Sequence, residues 1–218
     1  MGSKTMGNRI AVIDYGMGNL HSIKKALQYL GGEVLVTADP NDLRTHDRIV
    51  LPGIGAFGEG MNNLRASGFL PVLKSEVLEK KKPFLGICLG MQLLADKSFE
   101  FGNHEGLSFI PGEVKKFDFG AGDKRRIPHV GWNNIDFQTS HSLLSGINNG
   151  SNFYFVHSYH YAPKEDGVIV AASDYGYSFP AIIARGNIFA AQFHPEKSQK
   201  DGLKLLTNFL NWEPELNA

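Results

Sequence analysis

The sequence predicts an α/β fold built on a central mixed sheet in which most strands are parallel. Short apolar segments alternate with amphipathic segments in the first half, a pattern typical of parallel strands with helices on both faces of the sheet. Beyond about Gly106, extended segments follow one another between Gly, Asn, Asp and Pro clusters, as in antiparallel hairpins. The 218 residues, 42% hydrophobic and 20% charged, suffice for one such domain, which we expect over residues 9–218.

The first half contains predicted buried strands and the helices that connect them. The strands are expected at residues 9–14, 33–37, 47–51 and 83–87, and the helices near residues 19–30, 59–65 and 71–81. Asp39 and Pro40 suit a helix start, because Asp caps the N-terminus and Pro fits the first turn. Since helices separate these strands, we expect the strands to run parallel.

The second half contains predicted antiparallel strands and a last helix. The strands are expected at residues 115–119, 133–137, 152–161, 168–173, 181–184 and 187–193. The helix is expected at residues 199–212, with Ser198 and Asp201 spaced like a variant capping box. Because no linker is visible, we expect the sheet to be continuous. Residues 1–8 are expected to be an extension, either a cloning remnant or a loose native segment.

The charge balance and the cysteine count exclude several classes of protein. With 22 basic and 22 acidic side chains, the net charge is zero, so no surface for nucleic acid is expected. One cysteine cannot form an internal disulfide, and no apolar segment reaches the roughly 20 residues of a membrane span. We therefore expect a cytoplasmic enzyme that binds neither nucleic acid nor membrane.

Cys88 lies in a turn that suits a nucleophile. It stands between Gly86 and Gly90, after an apolar segment and ahead of a helical pattern. A strand that turns into a helix through small residues lifts the intervening side chain out of the sheet, and hydrolases mount Ser or Cys in this way. The N–H groups of a helix N-terminus also favour a thiolate. A buried structural thiol is the alternative for a lone cysteine, but the flanking glycines favour the nucleophile.

His194 and Glu196 form a second candidate group. Residues two apart in an extended segment point to the same side, and Pro195 favours an extended backbone at His194. A cysteine nucleophile needs a base, and the base needs a partner that orients it. We expect His194 and Glu196 to fill these roles, although a His-x-Glu pair taken alone is more often a surface pair.

A glycine-rich segment follows the third predicted strand. Gly53, Gly55 and Gly58 lie within residues 51–58. Closely spaced glycines let backbone N–H groups approach a ligand, as an oxyanion hole requires. A flexible loop between a strand and a helix explains the same glycines equally well.

No cofactor or metal is expected. Gly16 and Gly18 follow a strand, but His21 stands where the third glycine of a dinucleotide-binding fingerprint belongs. His157 and His160 are three apart in an extended segment, hence expected on opposite faces, and no second cysteine or carboxylate cluster completes a ligand set.

The chain resembles the class I glutamine amidotransferases, which release ammonia from glutamine with a Cys, a His and a Glu. The segments that carry the resemblance are residues 14–20, 52–57, 86–94, 128–133, 154–159 and 192–198. The resemblance extends from about Arg9 to Trp212 and implies the flavodoxin-like fold of that family. Segments 128–133 and 154–159 narrow it to a glutaminase subunit, a hydrolase that forms part of a lyase in histidine biosynthesis.

The resemblance implies a role for each matching residue. Cys88 would attack the side-chain amide of L-glutamine to form a thioester, His194 would protonate the departing ammonia and then activate water, and Glu196 would hold His194. The implied oxyanion hole consists of Leu89, Gly53, Ile54 and Gly55, with Ile54 in place of the more usual valine. The implied glutamine contacts are Gln92, Glu100, Ser158 and Tyr159.

The resemblance also implies a partner. Ammonia released into neutral water is mostly protonated and then no longer nucleophilic, so the protein that uses it must dock beside the site. The implied partner is a (β/α)8-barrel cyclase subunit in a heterodimer. The residues matched to the docking surface are Trp132, Asn133, Tyr154 and Lys197. Trp132 and Tyr154 suit core positions equally well.

Three other functions stay open from the sequence. A paralogous glutaminase subunit would feed ammonia to a sugar amidotransferase of surface polysaccharide synthesis. A free-standing cysteine hydrolase of peptidase type generally lacks the carboxylate that Glu196 provides. A non-catalytic binding subunit would not need the Cys, His and Glu that are all present here.

Overall fold

The computed structural model describes residues 8–120 and 122–214, so the predicted extension at residues 1–8 lies outside the described part apart from Asn8. The strands are β1 (Arg9–Ile13), β2 (Glu33–Thr37), β3 (Arg48–Gly53), β4 (Phe84–Cys88), β5 (Lys97–Ser98), β6 (His104–Glu105), β7 (Gly112–Lys116), β8 (His129–Asn134), β9 (Asp136–Phe137), β10 (Asn152–His157), β11 (Tyr159–Pro163), β12 (Ile169–Asp174), β13 (Ser178–Arg185) and β14 (Ile188–Ala191). The α-helices are α1 (Leu20–Tyr29), α2 (Phe57–Ala66), α3 (Phe69–Leu73), α4 (Leu89–Gln92) and α5 (Gln199–Leu210). Among the helices of the described residues, none has the length and hydropathy that a membrane crossing requires.

The largest sheet is mixed and has the strand order β2-β1-β3-β4-β14-β13-β12-β9. The strands from β2 to β14 in this order run parallel, and β13, β12 and β9 continue the sheet in antiparallel pairs. The predicted α/β fold with a mixed, mostly parallel sheet is thereby confirmed. In the first half, the predicted strands begin and end within two residues of the observed ones.

The prediction of one continuous sheet is wrong. β10 pairs with β8 in a separate two-stranded sheet, and β11 belongs to a four-stranded sheet of order β11-β7-β5-β6. The strand predicted at residues 152–161 is interrupted at Ser158, and the one predicted at 133–137 is divided between β8 and β9. The alternation of apolar and polar residues predicts an extended backbone but does not specify its pairing partner.

Apolar side chains cover both faces of the main sheet. In β1, Ile10 and Val12 belong to the cluster that includes residues of α1 and α5, whereas Ala11 and Ile13 belong to the cluster with residues of α2 and α3. Successive side chains of a strand point to opposite faces, so a fully apolar strand needs cover on both sides. The alternating helices of the first half provide it.

The helix predicted at residues 71–81 changes form midway. α3 ends at Leu73, and Lys74–Glu79 continue as a π-helical turn. Glu76 of this turn is buried, with Lys80 Nζ and Lys82 Nζ at 2.7 and 2.9 Å from its carboxylate oxygens. The pattern of apolar residues predicts a helix here but not its wider turn.

Ser198 does not cap α5, which corrects the predicted capping box. Its side chain makes no capping hydrogen bond. Instead, Ser198 Oγ donates to the His194 carbonyl at 2.6 Å and accepts from the Tyr154 N–H at 3.0 Å. The hydroxyl thereby ties the His194 segment to β10.

Close packing at Gly90 sets the turn between β4 and α4. A Cβ atom on Gly90 would overlap the Leu51 carbonyl oxygen of β3. A Cβ on Gly86 would lie 2.9 Å from the Gly90 carbonyl oxygen. The backbone segments around Gly86, Gly90 and Leu51 therefore pack so closely that no side chain fits at either glycine.

We expect Gly90→Ala to lower the free energy of unfolding by about 2 kcal/mol or more, because overpacking forces the backbone to shift. Gly167→Ala is the matched control, since no atom lies within 4 Å of the Cβ it adds. Urea unfolding followed by circular dichroism measures both variants. Equal stabilities would contradict the close packing at Gly90.

Candidate active site

A cavity of about 550 Å³ opens where β3 and β4 end. Ligands of α/β proteins commonly bind at the carboxyl ends of parallel strands. The cavity is lined by Ile54, Gly55, Ala56, Cys88, Leu89, Gln92, Glu100, Phe101, Pro128, Val156, His157, Ser158, Tyr159 and Lys197. The structure thus brings the predicted nucleophile and all four predicted glutamine contacts to one cavity.

Cys88 occupies a strained turn at the end of β4. Its backbone has φ 52° and ψ −108°, a conformation that residues other than glycine rarely adopt. The sulfur lies 3.8 Å from Gln192 Nε2 and 3.9 Å from the Val156 carbonyl oxygen. The helical segment that follows is the single turn α4, so any electrostatic help comes from the N–H groups of that turn alone.

His194 and Glu196 form a buried hydrogen-bonded pair. His194 Nδ1 lies 2.8 Å from Glu196 Oε1, and both side chains are 3% exposed. The backbone of His194 is extended ahead of the short 3-10 turn Pro195–Lys197, as Pro195 predicts. Among the described residues, His194 Nε2 has no hydrogen-bond partner, so the second ring nitrogen is available to the thiol and to substrate.

The electrostatics of His194 favour its protonated form. Burial by itself lowers the pKa of His194, but the nearby Cys88 and the hydrogen bond and charge of Glu196 outweigh burial and raise the pKa to about 10. An imidazolium beside a cysteine stabilises the thiolate, which is the reactive form. The arrangement can therefore supply both a nucleophile and a proton for a leaving group.

The predicted oxyanion segment lies beside the nucleophile. Gly53 is the register partner of Cys88 across the parallel pair β3 and β4. Ile54 is 46% exposed and lines the cavity together with Gly55, which has φ +102°. A Cβ on Gly53 would overlap the Tyr15 hydroxyl and would lie 2.9 Å from Leu89 Cβ. Only glycine fits at position 53 in this packing.

The predicted glutamine contact Gln92 is held from within the protein. Its Nε2 donates to the Tyr159 carbonyl at 2.9 Å and to Gln192 Oε1 at 3.1 Å. The carbonyl of Ser158 accepts from the Phe117 N–H at 3.0 Å. These carbonyl oxygens therefore already accept hydrogen bonds from neighbouring segments.

Glu100 caps the helix that follows the oxyanion segment. Its Oε2 accepts from the Phe57 N–H, the first of α2, at 2.6 Å. Burial raises the pKa of Glu100, and the hydrogen bond from Phe57 opposes that effect. The carboxylate thus joins the loop at residues 99–103 to the segment that carries Gly55.

Of the four residues matched to a docking surface, Lys197 lines the cavity, and neither Trp132 nor Tyr154 is in the core. Trp132 is 48% exposed and lies opposite Tyr154 in the β8–β10 pair, with ring centroids 6.1 Å apart. Lys197 Nζ lies 5.6 Å from the centre of the Tyr154 ring. Asn133 Nδ2 donates to the Asp174 carbonyl at 2.7 Å. Exposed apolar side chains also occur at Ile54 and Phe101 of the cavity lining and at Val130, the register partner of Val156.

The expectation that His157 and His160 lie on opposite faces of one strand is wrong. The chain passes from β10 to β11 at Ser158, and both rings pack against Phe117, with centroid distances of 5.2 and 5.0 Å. The interruption at Ser158 reverses the alternation that a single strand would impose.

Two residues near the nucleophile were not identified from the sequence. Gln192 contacts both Cys88 and Gln92, and its position two residues before His194 in an extended segment would have indicated the same side of the strand. Tyr15 is buried under Gly53, and its hydroxyl has no hydrogen-bond partner among the described residues. No local pattern indicates that contact, because it joins the ends of two different strands.

The comparisons with known proteins agree with this geometry. The family model of class I glutamine amidotransferases matches residues 11–212. The chain is 48% identical over 204 residues to the imidazole glycerol phosphate synthase subunit HisH of Geobacter metallireducens, covering 92% of this chain and 96% of that protein. It is 50% identical over 200 residues to subunit HisH 1 of Campylobacter jejuni, covering 92% and 98%.

Solved structures share the fold at low sequence identity. PurLQS of Thermotoga maritima has a TM-score of 0.72 at 19% identity and covers 94% of this chain and 99% of that chain. The glutaminase domain of Trypanosoma brucei CTPS has a TM-score of 0.63 at 18% identity and covers 92% and 93%. At these identities the likeness shows the fold alone.

We expect the His194 ring to stay protonated at pH 8, and Glu196→Gln to lower its pKa because the substitution removes a neighbouring negative charge. NMR titration of ring-15N-labelled histidine measures both. His157 is the internal control, since burial lowers its pKa to about 3 and it stays neutral through the titration. A His194 ring that titrates near pH 6.5 in the unsubstituted protein would contradict the prediction.

Proposed function

The chain belongs to the class I glutamine amidotransferase family, and we propose that it is the glutaminase subunit of imidazole glycerol phosphate synthase, acting in L-histidine biosynthesis. The observation that carries the proposal is the strained Cys88 turn at the cavity, beside the buried His194–Glu196 pair. The identity of about half of all residues to HisH subunits, over nearly the whole length of both proteins, supports the pathway. Residues 9–218 act as one domain in this proposal, and the cytoplasmic location inferred from the sequence stays a prediction.

The proposed reaction divides the hydrolysis of glutamine into two steps. The Cys88 thiolate attacks the side-chain carbonyl carbon of glutamine, and a C–S bond forms. His194 donates its Nε2 proton to the amide nitrogen, the C–N bond breaks, and ammonia leaves a thioester. His194 then takes a proton from water, the resulting hydroxide attacks the thioester, and the C–S bond breaks to give glutamate and the thiolate. Glu196 keeps the imidazole oriented throughout.

The oxyanion of each tetrahedral intermediate needs donors on the cavity side of Cys88. We assign the Leu89 N–H, at the start of α4, and an N–H from residues 53–55. Such donors typically contribute about 3 kcal/mol each to the transition state. The pairing of Gly53 with Cys88 supports this assignment, because it places residue 53 one strand spacing from the nucleophile.

The amino and carboxyl ends of glutamine are assigned to the outer part of the cavity. The Glu100 carboxylate and Gln92 Oε1 are acceptors suited to an α-ammonium group. Ser158 and Tyr159 line the same cavity and are assigned to the substrate backbone. Burial raises the pKa of Glu100, and an adjacent ammonium would lower this pKa and so favour the charged carboxylate.

A cyclase subunit is the proposed consumer of ammonia. It would be a (β/α)8-barrel that forms a heterodimer with this chain and converts an aminoimidazole-carboxamide ribonucleotide precursor into imidazole glycerol phosphate. The proposed docking surface consists of Trp132, Asn133, Tyr154 and Lys197. The exposed apolar side chains at the cavity mouth support a docked protein there, since isolated proteins rarely expose such a cluster.

We expect Cys88→Ala to lower glutamine turnover at least about 10³-fold, because the nucleophile is lost. Ammonia release is measured with this chain alone, with the cyclase subunit, and with the cyclase subunit carrying its nucleotide. The unsubstituted protein should be most active in the third condition, and gel filtration should show that the variant still forms the heterodimer. Unchanged turnover in the variant would contradict the assignment of Cys88, and no turnover by the unsubstituted complex would contradict the proposed function.

We expect Trp132→Ala to raise the Kd for the cyclase subunit by about tenfold or more, because exposed aromatic side chains are frequent hot spots of interfaces. Tyr29→Ala is the matched control, since Tyr29 is an aromatic residue that is 80% exposed at the end of α1. Titration calorimetry measures both. Equal affinities of the two variants would place the docking surface elsewhere.

A further inference from the structure

Two buried histidines outside the proposed catalytic residues contact each other. His129 and His157 are register partners in the β8–β10 pair, and both are buried. His129 Nδ1 lies 3.1 Å from His157 Nε2. Hydrolysis by Cys88 and His194 uses neither ring, so their contact needs another explanation.

The contact between Asn133 and His129 determines which ring nitrogen of His129 is protonated. Asn133 places one side-chain atom 2.7 Å from the Asp174 carbonyl oxygen, and a carbonyl only accepts, so this atom is the amide nitrogen. The same nitrogen lies 3.4 Å from His129 Nε2. Since the amide nitrogen donates, His129 Nε2 must accept, and the ring proton of His129 is on Nδ1.

The contact between His157 and the Tyr159 carbonyl determines the protonated nitrogen of His157 in the same way. His157 Nδ1 lies 2.8 Å from the Tyr159 carbonyl oxygen, so Nδ1 carries a proton. His129 Nδ1–H then donates to His157 Nε2, which has to be unprotonated. Both rings are therefore neutral with the proton on Nδ1. Burial supports this state, since it lowers the pKa of His129 to about 4 and that of His157 to about 3.

The chain of hydrogen bonds continues from Tyr159 to the nucleophile. The carbonyl that accepts from His157 also accepts from Gln92 Nε2 at 2.9 Å. Gln92 Nε2 faces Gln192 Oε1 at 3.1 Å, which orients the Gln192 amide so that its nitrogen lies 3.8 Å from Cys88 Sγ. The orientation of each amide follows from the carbonyl acceptor at Tyr159.

We propose that His129 and His157 are positioning residues whose Nδ1–H tautomers link Asn133 to the Tyr159 carbonyl and thereby hold the Gln92 and Gln192 amides beside Cys88. Asn133 follows Trp132 in β8, with its side chain on the opposite face of the β8–β10 pair, toward His129. The link joins this end of β8 to the glutamine cavity through groups with a single consistent arrangement of protons. In this inference, glutamine as the substrate is taken from the proposed function, whereas the assignment of the two tautomers does not depend on that function.

The tautomers are tested directly on the unsubstituted protein. Long-range 1H–15N correlation at pH 7, with ring-labelled histidine, reports which nitrogen of each ring is protonated. We expect Nδ1–H for both His129 and His157. An Nε2–H tautomer or a charged ring at either position would overturn the inference, whether or not the protein turns over glutamine.

The positioning role is tested by kinetics of the heterodimer with three variants. His157→Phe removes the donor to Tyr159, so KM for glutamine should rise by about tenfold while kcat changes much less. His157→Asn places an amide nitrogen where Nδ1 was, so KM should return to within about threefold of the unsubstituted value. His160→Phe is the matched control, because within the described residues the hydrogen-bond partners of His160 are Tyr161 and Tyr177, outside the chain of hydrogen bonds.

Three results would overturn the positioning role. They are an unchanged KM in His157→Phe, a His157→Asn variant as impaired as His157→Phe, and a His160→Phe variant with the same rise in KM. If the unsubstituted heterodimer releases no ammonia, the proposed function is wrong, and the tautomer measurement still decides the inference. The same measurement decides it if His157→Phe does not fold.

Discussion

The position of β4 between β3 and β14 is the constraint on which the site depends. On one side, Gly53 of β3 is the register partner of Cys88. On the other, Ala191 of β14 is the partner of Ile87, so the chain that leaves β14 reaches Gln192 and His194 next to the nucleophile. Three parallel strands therefore deliver the oxyanion segment, the thiol and the base to one edge. Because parallel strands end at the same edge of a sheet, residues far apart in sequence meet there without a long loop.

The same arrangement explains how unfavourable features are tolerated. The positive φ of Cys88 costs about 1–3 kcal/mol, and an ion pair such as His194 with Glu196 loses hydration when it is buried. The Gly90 contact with Leu51 leaves no room for the turn to relax, and Ser198 ties the His194 segment to β10. Removing one member of the pair would leave a buried charge alone, which is worse than burying both. The strained turn and the pair are held by the apolar layers on both faces of the main sheet.

Local features could be predicted from the sequence, and long-range pairings could not. The Cys88 turn and the extended backbone at His194 depend on neighbours within a few residues, namely the flanking glycines and Pro195. The division of residues 152–161 at Ser158 depends instead on which strand each half meets, and that information lies in β7 and β8. Ser198 matches a capping pattern, yet its hydroxyl is used by Tyr154, which is 44 residues away in sequence. The contact between Tyr15 and Gly53 was not predicted for the same reason, since Gly53 belongs to another strand.

The β8–β10 ribbon contributes both to the proposed docking surface and to the proposed glutamine site, because its two faces carry different residues. The alternation of the strands puts Trp132 and Tyr154 on the exposed face and His129 and His157 on the buried face. A two-stranded ribbon is only marginally stable by itself, so contacts on both faces determine its position. A subunit docked on the exposed face would act on the same backbone that holds the two histidines. Because Val156 and His157 of β10 line the cavity, the same two strands carry residues of the proposed docking surface and part of the cavity wall.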